Sequence, residues 1–216
     1  SKLLRYVEDV NEMSVSFVVK GPWGTGKTLT LIYFYKLLRR RFGVDKVVLV
    51  YIKGPQGVEE ILRRIVEVSV SYGAKVKVKS KINISELYEG VRSAIAQLIK
   101  RGYVVYVAID QLENFFKRVL YEEPEKKRSR MLSEFVETLR SRLSAIVSSR
   151  YILALSAINV IWDEVKHEWP ALEAFDEISL RPLRPDEVGR FIEGYLKLAR
   201  DPKVVEASDW LKSAIE

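Results

Sequence analysis

The sequence predicts an α/β fold, a parallel sheet sandwiched by helices, and three observations carry that expectation. Apolar strand-like runs alternate with helical stretches along most of the chain. Two of the runs, 103–109 and 151–155, are apolar throughout, as strands covered on both faces must be. Between the first run and the first helical stretch stands Gly21-Pro-Trp-Gly-Thr-Gly-Lys-Thr28, a complete G-x-x-x-x-G-K-[ST] turn.

The first strand is Val15-Ser-Phe-Val-Val-Lys20, and residues 29–42 form the helix that leaves the loop, closing on Arg39-Arg40-Arg41. Lys46-Val-Val-Leu-Val-Tyr-Ile52 is the second strand, and Gly54-Pro-Gln-Gly57 turns the chain into a helix over 58–70. Ser85 can cap the next helix, whose Leu87, Val91, Ile95, Leu98 and Ile99 share one face, and Arg101-Gly102 ends it. The third strand, 103–109, leads to a helical segment, a solvated charged loop over 121–130, and a long helix over 130–147. The fourth strand is 151–155 and the fifth 175–180. Arg181-Pro-Leu-Arg-Pro185 is a stiff connector, beyond which Asp186 caps a helix over 186–199. Another helix occupies 208–216. This divides the chain into a core, 1–183, and the start of a helical lid, 184–216, which the natural protein is expected to continue.

The loop carries the chemistry. Gly21, Gly24 and Gly26 let successive N–H groups converge on one anion, and the helix N-terminus adds positive potential. Lys27 reaches β- and γ-phosphates, and the Thr28 hydroxyl ligates Mg²⁺. Pro22, Trp23, Thr25 and Leu29 complete the stretch that wraps a nucleoside triphosphate. The third strand ends in Asp110, placed to hold the Mg²⁺ shell. Hydrolysis needs a group that orients or deprotonates water. Gln111 can position one, and Glu113 is the alternative as base, or else a surface residue. Ser156 and Asn159, at the end of the fourth strand, can sense the γ-phosphate. Their plainer readings are a backbone-bonded hydroxyl and a helix cap.

The 216 residues carry 36 Lys and Arg against 29 Asp and Glu, a net charge of +7, which favours polyanionic partners. Arg39, Arg40 and Arg41 form one basic cluster, and Lys75, Lys77, Lys79 and Lys81 alternate so that a strand would show all four on one face. That ladder serves either DNA contact or protection of a sheet edge. The sequence has no cysteine, which excludes disulfides and thiolate metal sites. Its single histidine, His167, reads as a solvated helix position. No run approaches a membrane span, so a cytoplasmic protein is expected. Abundant charge with few labile side chains suits a thermophile.

These motifs resemble the AAA+ and STAND-type ATPases and are similar to archaeal origin-recognition ATPases. The resemblance rests on Gly21 to Thr28, Ile109-Asp110 with Glu113, the fourth strand, and the stretch from Phe175 to Val188. Trp23 within the loop also resembles the KAP-type NTPases. The resemblance implies a five-stranded sheet in order 5-1-4-3-2, with one strand inserted between those ending at Lys20 and Ile109, and a helical lid. It also implies ATP and Mg²⁺ as cofactors. The chain departs from the pattern in three places. Gln111 replaces a glutamate, no arginine lies between Arg150 and Arg181, and no second sensor helix can be placed. Arg181 and Arg184 are the nearest cations beyond that gap.

Three functions are then open. The first is an ATPase coupled to DNA, of initiator, loader or mobile-element type. The second is a STAND-like nucleotide switch acting on a protein partner or a second copy. The third is a small-molecule kinase, which requires the strands ending at Lys20 and Ile109 to be neighbours.

Overall fold

The computed structural model describes residues 2–76, 83–146 and 148–189. The elements run α1 (Lys2–Asp9), β1 (Val15–Lys20), α2 (Lys27–Phe42), β2 (Val47–Lys53), α3 (Val58–Ser71), α4 (Ile84–Lys100), β3 (Val104–Asp110), α5 (Leu112–Glu122) and α6 (Glu125–Glu137). A π-helical turn (Thr138–Leu143) follows, then β4 (Tyr151–Ala157), α7 (Asn159–Glu168), a 3-10 turn (Pro170–Ala174) and β5 (Asp176–Ser179). The five strands form one parallel sheet in the order β2-β3-β4-β1-β5. Read from the other edge this is 5-1-4-3-2, as the resemblance implies. Because β4 lies between β1 and β3, the neighbouring-strand arrangement of the kinase reading is absent.

Side-chain parity explains why the central strands are apolar throughout. On β3, Val105, Val107 and Ile109 join the core under α3 to α7, while Val104, Tyr106 and Ala108 join the core under α1 and α2. In the second core Tyr6 stacks on Phe17, with ring centroids 5.1 Å apart, and Phe34 meets both Phe17 and Tyr106 edge-on. Val47, Leu49 and Tyr51 of β2 face this same side. The even residues of β4, Ile152 and Ala154, do so too, which carries Ser156 to the α2 side of the sheet. Asp110 extends the same row on β3.

Several local expectations are corrected. The α4 cap is Asn83, whose Oδ1 accepts from the Glu86 N–H at 2.8 Å, so Ser85 lies inside the first turn. The 121–130 segment is mostly helix. Pro124 begins α6 by accepting from the N–H groups of Lys127 and Arg128, both at 2.9 Å, and only Glu123 and Pro124 separate the two helices. Regular helix gives way at Thr138, whose hydroxyl bonds back to the Glu134 carbonyl at 2.7 Å as the chain widens into the π turn. Residues 185–189 are helical from Pro185, and the first turn is closed by Glu187, whose carboxylate accepts the Arg184 N–H at 2.8 Å. Asp186 is thus within that turn and does not cap it. His167 is exposed on α7, as expected.

The chain divides into a unit Ser1–Leu180 and a unit Arg181–Glu216. Within the second, Arg181 pairs with both carboxylate oxygens of Glu187 at 2.7 Å. The helices expected beyond 189 lie outside the described residues, as do Lys77, Lys79 and Lys81. Lys75 is exposed in an irregular segment pinned by Gln97, whose side chain bonds both its N–H and its carbonyl. Among the described residues no helix is long and apolar enough to cross a membrane.

Candidate functional site

The C-terminal ends of β1, β3 and β4 converge where α2 begins, at the edge where parallel α/β sheets bind ligands. Gly24 and Gly26 adopt φ of 75° and 88°, which a side chain would resist, and a Cβ on either would meet only open space. Gly21 is needed for a different reason. A Cβ there would lie 2.8 Å from the Leu180 carbonyl oxygen. Thr25 Oγ1 donates to the Pro22 carbonyl at 2.8 Å and stiffens the turn. Lys27 is only 8% exposed, with its ammonium donating to the carbonyls of Gly21 at 3.0 Å and Pro22 at 2.9 Å. Trp23 stands out from the loop at 64% exposure, with the ammonium groups of Lys27 and Lys117 at 5.9 and 5.6 Å from its ring centroid. Leu29 is likewise exposed one step beyond the loop.

Asp110 is fully buried and accepts four hydrogen bonds. Its Oδ2 takes the Thr28 hydroxyl at 2.7 Å and the Tyr51 phenol at 2.6 Å. Its Oδ1 takes the Gln111 N–H at 3.0 Å and the Ser156 hydroxyl. Ser156 also accepts from the Gln111 N–H at 3.0 Å. The structure therefore commits Ser156 to the carboxylate, while Asn159 opens α7, partly exposed. Gln111 adopts left-handed backbone, φ 59°, so that its N–H can turn back onto this pair, and its side chain leans toward Asn114. Strain of this kind, outside glycine, concentrates at functional sites.

Glu113 lies in the first turn of α5 but is not the surface residue of the plainer reading. It is 1% exposed, and its Oε2 has no hydrogen-bond partner. Burial pushes its carboxyl above the ordinary value, and the charge of Asp110 adds to the rise, while Lys27 opposes it. Tyr51, absent from the sequence-based set, is the residue that the structure adds. Burial raises its phenol first, then the contact with Asp110, so it is a donor at neutral pH. Its signal lay in the strand parity that places it on the same sheet face as Asp110.

This arrangement fits a Mg²⁺–nucleotide. Space is open at Gly24 and Gly26, the Lys27 ammonium is buried against the loop, and a hydroxyl–carboxylate pair of hard oxygens stands 2.7 Å apart. Among the described residues no cluster of three or more His, Asp or Glu could form a separate metal cage. A cation held by one hydroxyl, one carboxylate and phosphate oxygens needs none.

Comparison with known families matches residues 1–155 to the KAP family P-loop domain. The chain belongs to the KAP family. Solved structures share the fold of this KAP domain at low identity. The ADP form of the Aeropyrum pernix ORC2 protein superimposes with a TM-score of 0.65 at 14% identity, covering 91% of this chain and 50% of that one. The Aeropyrum pernix ORC1 protein in complex with DNA gives 0.57 at 15%, covering 91% and 48%. Cdc6p from Pyrobaculum aerophilum gives 0.54 at 15%, covering 88% and 46%. The chain thus spans about half the length of the structures it matches. A search of curated proteins finds no match.

Proposed function

We propose that this KAP-family P-loop domain binds Mg²⁺-ATP and hydrolyses it, with turnover coupled to DNA. The observation that carries the reading is the Thr28–Asp110 contact together with a buried Glu113 whose Oε2 has no hydrogen-bond partner. Gly21 to Leu29 would wrap the phosphates, with Lys27 exchanging its loop carbonyls for phosphate oxygens. Thr28 and Asp110 would hold Mg²⁺, which supplies charge neutralisation at the β- and γ-phosphates. Glu113 would take the proton from the attacking water as the bond to the leaving β-phosphate oxygen breaks. Burial, which raises its carboxyl, makes it a stronger base than an exposed glutamate. Gln111 or Asn159 would orient that water or sense the γ-phosphate. Residues 184–216 would open the lid whose angle follows nucleotide state.

The DNA half of the proposal draws on the net charge of +7 and the exposed Arg40 and Arg41 at the end of α2, beside Arg39. It also draws on the likeness to an ORC1 protein solved with DNA. A second reading, a nucleotide-held switch for a protein partner, is favoured by Gln111, which cannot act as a base where a glutamate would. Mg²⁺-ATP turnover with and without single- and double-stranded DNA, using Lys27→Ala as the blank, separates them. DNA stimulation that vanishes in the variant supports the coupled ATPase. Turnover at the blank level in all conditions, with nucleotide retained, supports the switch.

A further inference from the structure

We infer that Tyr51 is a metal-coupled positioning residue, its phenol occupying the acceptor site on Asp110 that a hydrated Mg²⁺ must take over. This rests on the nucleotide-binding reading above. An ionised carboxylate offers about four acceptor positions, and on Asp110 all four are filled by protein donors. A metal held through Asp110, directly or through its water, requires one of them.

The four donors are not equally able to yield. The Gln111 N–H is backbone, fixed by the left-handed turn. The Ser156 hydroxyl is fully buried and itself accepts from that same N–H. The Thr28 hydroxyl belongs to the proposed metal ligand set and can keep its proton on Oδ2 while its lone pair faces the cation. Tyr51 alone is neither a ligand nor enclosed. It is partly exposed on β2, an edge strand with a neighbour on one side only, so no further strand covers it. Its bond goes to Oδ2, the oxygen shared with Thr28, and so to the metal side of the carboxylate.

Two consequences follow. The phenol fills the fourth acceptor position of a buried carboxylate when no metal is bound. It also competes with Mg²⁺, because metal affinity is reduced by the fraction of molecules in which the phenol is seated.

The test is fluorescent ATP-analogue binding across a Mg²⁺ titration, for the wild type and Tyr51→Phe. The variant should reach half-saturation at a Mg²⁺ concentration about tenfold to a hundredfold lower, the range expected when one hydrogen bond to a charged acceptor no longer competes. Analogue affinity in EDTA should be unchanged. A second measurement needs no altered binding site. In protein labelled with fluorotyrosine, the resonance missing from Tyr51→Phe should move toward its solvent-exposed position on adding Mg²⁺ with nucleotide, and not on adding nucleotide in EDTA. A Mg²⁺ midpoint that is unchanged or higher in the variant, or a Tyr51 resonance indifferent to the metal, overturns the inference and leaves the nucleotide site standing. Absence of any analogue binding to the wild type overturns the nucleotide reading, and this inference with it.

Discussion

Replacing Glu177 by glutamine should weaken the strand end that launches the phosphate loop. Glu177, on edge strand β5, receives Lys20 and Lys166 at 2.7 Å and the Trp162 indole N–H at 3.1 Å, and Lys20 also reaches Asp163 at 2.7 Å. Lys20 is the last residue of β1, next to Gly21, so this network fixes the loop's point of departure against α7. Burial by itself would raise the Glu177 carboxyl, but the bonds from Lys166, Lys20 and Trp162 reverse the effect and bring it from 4.5 to about 2. That fall corresponds to about 3 kcal/mol in favour of the folded, ionised form at neutral pH. With the side chain 26% exposed, solvent screening reduces the expectation to about 2 kcal/mol. The same contacts raise Lys20, and the two shifts describe one stabilisation. An acid with a lowered folded pKa stabilises above its unfolded value and loses that stabilisation as pH falls through the folded one. Urea unfolding should therefore show Glu177→Gln less stable by about 2 kcal/mol from neutral pH down to about 5, with the gap closing between 4.5 and about 2. A variant as stable as wild type at pH 7, or a gap that persists unchanged in acid, refutes the reasoning.

Three further sets of substitutions carry expected outcomes. Glu113→Gln should cut turnover by about a hundredfold or more while nucleotide affinity stays within about twofold, measured by steady-state hydrolysis and direct binding. Because Glu113 must be ionised to act as base and its carboxyl is held above 4.5, the wild-type rate should rise with pH through that raised value, a limb the variant lacks. Gly21→Ala should cost about 1–3 kcal/mol in denaturant unfolding, since its Cβ would fall 2.8 Å from the backbone oxygen of Leu180, which cannot rotate away. Arg40→Ala with Arg41→Ala should weaken DNA binding across sequences and lower the slope of log K against log salt by up to about 2, as read by anisotropy titration.

Much of this architecture is legible because local signals agree with the fold. The wholly apolar 103–109 run becomes β3 between two partners, and Gly21 to Thr28 performs the strand-to-helix turn that its glycines suggest. What was hidden depends on contacts distant in sequence. Glu113 reads equally as a base or as a helix-surface acid, and its burial emerges only in the folded chain. Ser156 reads as a phosphate sensor or a backbone-bonded hydroxyl, and its bond to an aspartate 46 residues away has no local signal. Tyr51 is one aromatic in an apolar strand, and only the β2–β3 register, Tyr51 opposite Ala108, brings it within reach of Asp110. The 121–130 segment departs from the expected solvated loop for a local reason: Pro124, among mixed charges, starts a helix. Helix α1 escaped because its amphipathic stretch is only eight residues long.

The most direct test of the central claim is calorimetric titration of Mg²⁺-ATP into wild type, Lys27→Ala and Asp110→Asn. The account predicts saturable one-site binding to the wild type. It predicts a loss of about a hundredfold in Lys27→Ala, and in Asp110→Asn a loss seen with Mg²⁺ but not in EDTA. Equal affinity in all three proteins, or no binding to the wild type, would contradict it.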